Sequence, residues 1–190
     1  MTALHPAAPA PQPGAPRLLA LPLALALALA AAGCSASADF PVDRRVQVQQ
    51  DGPEVAGQTT LDLSASGDAW VNRRCLKGVT IRSARAVIAA VDVDNAATRG
   101  SGTLALRPSG APDDGSADVV LGRFDDVLIR PGLAIEVAPS PEAGALVRSA
   151  LEGSGRLALV MRGRADARPA AFAVEVQLDV GVRYAPLERL

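Results

Sequence analysis

The stretch that decides the fold is residues 172–184, Phe-Ala-Val-Glu-Val-Gln-Leu-Asp-Val-Gly-Val-Arg-Tyr. Its even-numbered positions are apolar or aromatic, whereas its odd-numbered positions are small or polar. An alternation with a period of two is typical of a β-strand that buries one face and exposes the other. The stretch therefore predicts a long, half-buried strand whose apolar face needs a second layer of structure to cover it.

The segment just before this stretch shows the same alternation. Leu157, Leu159 and Met161 are separated by single residues, and a polar segment, residues 163–169, follows them. Two alternating segments on either side of a short polar connection are typical of a β-hairpin. We therefore predict that residues 157–161 and 172–184 form neighbouring antiparallel strands.

Further short apolar alternations fill the rest of the chain. They occur at Val46 and Val48, Leu61 and Leu63, residues 79–93, Leu104 and Leu106, Val119 and Leu121, and Leu133, Ile135 and Val137. Turn-forming residues separate most of them, most clearly at 108–116. Several short strands with no long helix between them indicate a mainly β chain folded as an antiparallel β-sandwich.

One α-helix is signalled within this β pattern. Ser140 suits the capping position, Pro141 the first helical position and Glu142 the positive helix end, while Gly153 suits the far end. The apolar residues then form a single stripe of Leu146, Val147, Ala150 and Leu151. We predict a helix between Ser140 and Gly153 that covers one open end of the sandwich.

A second, short helix is predicted from Ser66 to Lys77, with Trp70 and Arg73 on neighbouring turns. Trp70 is interpreted as a core side chain, because one isolated aromatic ring makes a poor platform for a ligand. Cys75, near the end of this segment, is interpreted in the same way as a small, partly apolar core residue.

The amino-terminal part of the chain has the order of a secretory signal. Its apolar run, residues 18–32, is shorter than the roughly 20 residues that a helix needs to span a bilayer. Arg17 precedes the run and small residues follow it. We therefore expect a signal peptide at 1–33, an anchor and linker at 34–45, and a single β-sandwich domain at 46–190.

Two cleavage sites compete at the end of this signal. Ala31-Ala32-Gly33-Cys34 resembles a bacterial lipobox, in which the cysteine thiol takes a diacylglycerol before the chain is cut on its amino side. Ala36-Ser37-Ala38 fits an A-x-A site with the cut before Asp39. The first site is favoured and makes Cys34 the lipid attachment residue. The second would release a soluble periplasmic or secreted protein.

A lipidated Cys34 would place the protein on a membrane, since two or three acyl chains hold a protein there. The resemblance to bacterial lipoproteins, with Ser35 directly after the cysteine, implies export to the outer membrane. Without residues 1–33, which contain Arg17 and no acid, 18 basic residues face 20 acidic ones. A slightly acidic chain that is poor in aromatic residues gives no basis for binding nucleic acid.

The residues needed for most catalytic chemistry are missing from the expected mature chain. The one histidine of the sequence, His5, lies in the segment that we expect to be removed. Neither a Ser-His-Asp triad nor a histidine metal site can therefore form in the mature chain. Asp92 and Asp94 offer oxygen ligands of the kind calcium prefers, but they are interpreted as a solvated strand face, and Asp125-Asp126 as a turn. We predict no catalytic residue, no cofactor and no metal.

Cys75 has a second interpretation besides packing. With Cys34 lipidated or removed, it has no partner for an internal disulfide. Arg73, Arg74 and Lys77 lie nearby in the sequence and would lower the pKa of a free thiol. This alternative makes Cys75 a candidate free thiol in a redox protein.

Two resemblances support the fold. Leu61-Asp62-Leu63-Ser64, the segment 79–84 and the long strand to Val93 resemble a group of uncharacterised bacterial lipoproteins. That resemblance implies a β-sandwich with a lipid anchor and brings no activity. The passage from Ile135 through the helix to Gly163 is similar to the late-embryogenesis-abundant type of sandwich, in which a helix precedes a hairpin.

These features together predict a cell-envelope lipoprotein that acts as a non-enzymatic binding or structural module. Its partners would be the membrane, through the anchor, and an envelope protein or an apolar ligand. The first alternative is a carrier of a small apolar ligand or lipid, held between the sheets beneath the helix. The second is a thiol-dependent redox protein that uses Cys75.

Overall fold

The structure, a computed structural model, describes residues 37–50, 54–135 and 137–185. The strands are β1 (Ser37–Gln49), β2 (Val55–Asp62), β3 (Leu76–Val91), β4 (Arg99–Pro108), β5 (Val119–Leu128), β6 (Ala134–Ile135), β7 (Arg156–Ala165) and β8 (Ala171–Tyr184). The α-helices are α1 (Asp68–Val71) and α2 (Pro141–Glu152). The predicted mainly β, antiparallel class is confirmed, and all described residues lie in one unit, residues 35–190.

The eight strands form one sheet in the order β5-β4-β7-β2-β1-β8-β3-β6, with every neighbouring pair antiparallel. β1 and β2 pair at Gln49↔Ala56, where one half of the sheet continues into the other. On the opposite side, the Ala138 N–H donates to the Leu121 carbonyl at 2.8 Å and brings the segment after β6 onto β5. The sheet is therefore nearly closed, and side chains from both halves form one hydrophobic core.

β8 is the long half-buried strand that the alternation predicts. Its even-numbered residues from Phe172 to Tyr184 are all buried, while Glu175, Gln177 and Arg183 are exposed. β8 lies between β1 and β3, and it pairs with β1 along its whole length, from Ala171↔Gln49 to Arg183↔Ser37. Burial of each large apolar side chain favours folding by about 1.5–3 kcal/mol, so this central strand anchors its half of the sheet.

The predicted hairpin of residues 157–161 with 172–184 is wrong. β7 pairs with β2 and β4, whereas β8 pairs with β1 and β3. β2 and β1 therefore separate the two strands in the sheet order. Alternation fixes which face of a strand is buried, but it contains no information about which strand lies beside it.

The predicted linker at 34–45 also needs correction, because β1 begins at Ser37. Residues 37–45 pair with β8 as part of the sheet. The sequence did not predict the first half of this strand, because Pro41 and the charged run Asp43-Arg44-Arg45 are unusual in a strand interior. The apolar positions Phe40, Val42 and Val46 nevertheless keep the period of two and are buried.

Helix α2 confirms the prediction for residues 140–153. The Ser140 Oγ accepts a hydrogen bond from the Ala143 N–H at 3.2 Å, Pro141 begins the helix, and the Gly153 N–H donates to the Ser149 and Ala150 carbonyls. The helix contacts β3 in one half of the sheet and β4, β5 and β7 in the other. It approaches β3 so closely that a Cβ on Gly144 would lie 2.8 Å from the Val79 carbonyl oxygen.

The predicted second helix, Ser66–Lys77, is only partly present. The segment consists of a 3-10 turn at Leu63–Ala65, the four-residue helix α1 and another 3-10 turn at Arg73–Cys75. Residue 77 already belongs to β3.

No helix in the described ranges is both long and apolar enough to cross a bilayer.

Two acidic pairs lie in different settings from those expected. Asp92 and Asp94 follow β3, which ends at Val91, and the Asp92 carboxylate accepts a 3.4 Å hydrogen bond from the Asp94 N–H in a turn. Asp125 and Asp126 lie inside β5 instead of in a turn between strands. The pairing of β4 with β5 is irregular there, and Asp126 has a positive φ of 49°, as in a β-bulge.

Candidate functional site

A buried arginine, Arg107, and the charged residues around it lie on the outer face of the sheet, where β4 and β7 run side by side. Leu104 and Leu106 of β4 point into the core, so Ala105 and Arg107 point outwards. On β7 the outward positions are Ala158, Val160 and Arg162, and Ala105 and Arg107 pair with Val160 and Ala158. Ala105 and Val160 are nevertheless buried. Residues 109–118, the clamp loop, connect β4 to β5 and contact this face.

Arg107 is the centre of the site, and its side chain is only 4% exposed. Its Nη1 donates to the Pro112 carbonyl at 3.3 Å and to the carboxylate of Asp113. Its Nη2 donates to Gln58 Oε1 at 2.7 Å, and its Nε lies 3.7 Å from Asp118 Oδ1. A buried guanidinium is costly unless it is paired, and here the clamp loop and β2 together supply its partners.

Arg162 is a second arginine that holds the same loop. Its Nη2 donates to the Asp113 carboxylate and, at 2.9 Å, to the Asp113 carbonyl. Its Nε lies 3.5 Å from Asp118 Oδ2 but forms no hydrogen bond with it. The hydrogen bond from Arg107, together with the nearby charge of Arg162, lowers the pKa of Asp113. One carboxylate thus fastens the loop to two strands.

The clamp loop is also ordered by its own turns. The Asp114 carboxylate accepts hydrogen bonds from the Ser116 N–H at 2.9 Å and the Ser116 hydroxyl at 2.6 Å, and these bonds lower the pKa of Asp114. Gly110 and Gly115 have φ values of 83° and 82°, a region that side chains rarely adopt. The clamp loop therefore has a defined conformation and covers the outer face of β4 and β7.

An open cleft of about 530 Å³ lies beside the clamp loop. Its walls come from β2, β4, β7 and the first residues of the loop, and the polar ones are Gln58, Thr59, Thr60, Arg107, Ser109 and Asp113. Hydroxyl groups and backbone amides suit hydrogen bonding to a polar ligand or to an extended peptide segment. The charges facing the cleft are already paired with one another, so the cleft offers hydrogen bonds more than net charge.

The interior holds much smaller pockets. Two apolar ones, both lined in part by Phe124, Met161 and Phe172, have volumes of about 10 Å³. A volume of this size accommodates about one water molecule. A lipid chain does not fit in either pocket unless the surrounding strands move.

Cys75, the candidate free thiol, is the last residue of the 3-10 turn after α1. Its side chain is half-buried against the core and forms no disulfide. Of its basic neighbours, Arg73 is committed elsewhere, because its guanidinium stacks 4.0 Å from the Trp70 ring and donates to the Trp70 carbonyl at 2.8 Å. Cys34, the predicted lipid attachment residue, lies outside the described residues.

Trp70 has an intermediate role between core and surface. It is half-buried and packs against the core. A Cβ on Gly155 would lie 2.8 Å from its ring, which shows how closely the ring covers the start of β7.

Within residues 37–50, 54–135 and 137–185, no group of three or more His, Cys, Asp or Glu side chains is placed to hold a metal.

Arg107, Arg162 and their carboxylate partners carry no sequence motif that marks them as a site. Both arginines occupy outward positions of alternating strands, where a charged residue is ordinary. Residues 108–116 were recognised as a turn, but nothing in their composition indicates that the turn folds back over the sheet. The signal that was available is the low number of hydrophilic residues beside Arg107, in Leu104-Ala105-Leu106.

No protein-family model matches the chain, and no curated protein matches it either. The chain has a distant likeness to the solved structure of Desmodium yellow mottle tymovirus, with 10% identity over 97% of this chain and 98% of that chain, at a TM-score of 0.30. A structure of turnip yellow mosaic virus has 9% identity over 83% of this chain and 98% of that chain, at a TM-score of 0.32. TM-scores this low leave the family and the function of the chain unassigned.

Proposed function

We propose that the protein is a lipid-anchored component of the cell envelope that acts as a non-catalytic binding module. The observation that carries the anchoring is the start of β1 at Ser37. Only Ser35 and Ala36 separate Cys34 from this strand. A cut before Cys34 leaves the whole of β1 in the mature chain.

The competing cut, before Asp39, falls inside the fold. It would remove Ser37 and Ala38, which pair with Arg183 and Val182 at the end of β8. It would also make Asp39, whose carboxylate forms a 2.6 Å ion pair with Arg82, the new amino-terminal residue. The position of the strand therefore favours the lipobox over the A-x-A site.

The cleft beside the clamp loop is the surface that we assign to binding. Its walls are rigid, because three of them are strands and the fourth is fastened through Asp113 to Arg107 and Arg162. Proton transfer by Asp113 or Asp118 would weaken the contacts that hold the loop. This pairing supports recognition of a partner over acid-base chemistry at the cleft.

The anchoring is tested by the intact mass and the detergent partitioning of the mature protein from a bacterial host. We expect the mass of a diacylated or triacylated chain that begins at Cys34, and partitioning into the detergent phase. The Cys34→Ala chain is the matched control and should lack the acyl mass. An unmodified wild-type chain that begins at Asp39 and stays in the aqueous phase would overturn the anchoring.

The binding surface is tested by photo-cross-linking in cells of the native host. A photoreactive residue replaces Ser109, on the cleft, or Arg85, on the outer face of β3 away from the cleft. We expect a discrete adduct from position 109 and none from position 85. No adduct at 109, or the same adducts from both positions, would remove the cleft from the proposal.

A further inference from the structure

We infer that one end of the sheet lies against an anionic membrane surface. This end, called here the anchor end, comprises the start of β1, the end of β8, the start of β3 and the segment 66–77. The inference rests on the lipid anchor proposed above. It adds which surface of the domain faces the bilayer and what chemistry that surface recognises.

Backbone pairing brings the parts of the anchor end together. Ser37 pairs with Arg183, and Arg183 pairs with Gly78 on its other side. The Ala185 N–H donates to the Cys75 carbonyl at 2.7 Å, and α1 contacts β1. The segment 66–77 therefore lies beside the point where the chain enters the fold.

The tether to this point is short. Three residue steps join Cys34 to Ser37, and they span about 10 Å when fully extended. A lipid on Cys34 would thus keep the anchor end within about one headgroup layer of the bilayer. The opposite end of the sheet, where β4 begins and β7 ends, is held away from the membrane by the length of the strands.

The anchor end displays side chains that suit a membrane interface. Val71 is 72% exposed, although it is a large aliphatic residue. The neighbouring Trp70 is half-buried, and the guanidinium of Arg73 lies over its ring. An indole, an exposed aliphatic side chain and basic groups are the combination that binds at the boundary between headgroups and acyl chains.

The charge of the anchor end favours an anionic surface. Arg74, Lys77 and Arg183 are exposed, and their side chains make no hydrogen bond or ion pair with any residue that the structure describes. Most of the acids at this end face basic partners, in the pairs Asp39 with Arg82, Asp62 with Arg156, and Glu152 with Arg148. Among the described residues of segment 66–77, Asp68 in α1 is the acid that opposes these three free cations.

An anionic bilayer is the occupant that these observations favour over a protein. The short tether brings the anchor end to the lipid surface even when no partner protein is bound. The free basic side chains can bind anionic headgroups, while the exposed Val71 can contact the acyl chains below them. Contact at such a surface weakens about fivefold for each basic side chain removed. The effect is electrostatic, so it should fall as the salt concentration rises.

The test uses the lipidated mature protein in vesicles of phosphatidylcholine alone or mixed with phosphatidylglycerol, with brominated acyl chains as quenchers. Trp70 is the single tryptophan of the chain and reports directly on the anchor end. We expect stronger quenching of Trp70 in the anionic vesicles. The double variant Arg74→Glu and Lys77→Glu should lose this difference, whereas Arg164→Glu and Arg168→Glu, at the opposite end, should keep it.

Two further readouts separate this inference from the anchoring itself. Flotation with the vesicles and the intact mass report the anchor, whereas quenching reports the orientation. Protein that floats with the acyl mass but shows equal quenching in both kinds of vesicle would overturn the inference, keep the anchor, and leave this end for a protein partner. An unmodified chain that does not float would overturn both.

Discussion

At the scale of single residues, the outer face of the sheet depends on Arg107. Its side chain fills the space under the clamp loop and joins Gln58 of β2 to Asp113 of the loop. In the sequence it is one of many arginines on outward strand positions. Its role arises from the return of residues 109–118 over the strand, which is a tertiary event that local sequence patterns do not encode.

Replacement of Arg107 by Ala is expected to lower the free energy of unfolding by about 3 kcal/mol, because a buried charge pair loses one partner while Asp118 stays nearly buried. Arg123→Ala, an exposed position in β5, serves as the control and should change it by less than about 0.5 kcal/mol. Urea unfolding measures both. Similar values for the two variants would mean that the clamp loop does not depend on Arg107.

Asp166 should contribute to the loss of stability of the protein at acidic pH. Hydrogen bonds from the Thr98 hydroxyl and from the N–H groups of Arg99 and Thr98 lower its pKa from 3.8 to about 2. Since the folded-state pKa is lowered, the ionised carboxylate contributes stability above pH 3.8, and this contribution is lost as the pH falls towards 2.

The pKa of Asp166 is measured by NMR titration, and Thr98→Val should move it upwards. The Asp166→Asn protein should lose less stability than the wild type between pH 4 and pH 2. An unchanged acid limb in Asp166→Asn, or a pKa of Asp166 at its ordinary value, would show that these bonds do not form in solution.

At the scale of elements, the strands and helices that depend on local sequence signals are the ones that the sequence predicts well. β8 follows from its alternation, and α2 follows from Ser140, Pro141 and Gly153, because each of these signals acts within a few residues. The pairing of β7 and the start of β1 were not predictable in this way. β7 pairs with β2 and β4, which come from distant parts of the chain. In β1, Pro41 and the charged run Asp43-Arg44-Arg45 lie between the buried apolar positions and obscure their alternation.

The register of β8 is testable with neighbouring substitutions. Val176 and Leu178 are 2% and 1% exposed, whereas Gln177 between them is exposed. Val176→Asp and Leu178→Asp should each lower the free energy of unfolding by about 3–5 kcal/mol, because each places a carboxylate in the core. Gln177→Asp should change it by less than about 0.5 kcal/mol. Equal tolerance of the three changes in urea unfolding would contradict the register.

At the scale of the whole molecule, the sheet depends on pairing between the two ends of the chain. β1, the first strand, lies beside β8, the last one, and β8 also holds β3. Long-range pairing of this kind makes folding slow, since the loop must close before any contact is gained. The candidate cleft likewise requires β2, β4 and β7 together, which is why no short motif revealed it.

The folding rate and the need for β8 can be measured together. Refolding followed by Trp70 fluorescence should take milliseconds to seconds, as is typical of all-β domains with distant strand pairs. A chain that stops at Ala170 lacks β8 and should show no cooperative unfolding transition in urea. Complete refolding within microseconds, or a cooperative transition in the shortened chain, would contradict the dependence on end-to-end pairing.

The pairing of the first strand with the last has a consequence for the order in which the chain reaches its destination. If the chain is exported from its amino terminus, β1 arrives first and its partner arrives last. During that interval the edge of β1 that β8 will cover stays open to other strands. We therefore expect the unfinished chain to depend on envelope chaperones, and to depend on them more when translocation is slowed.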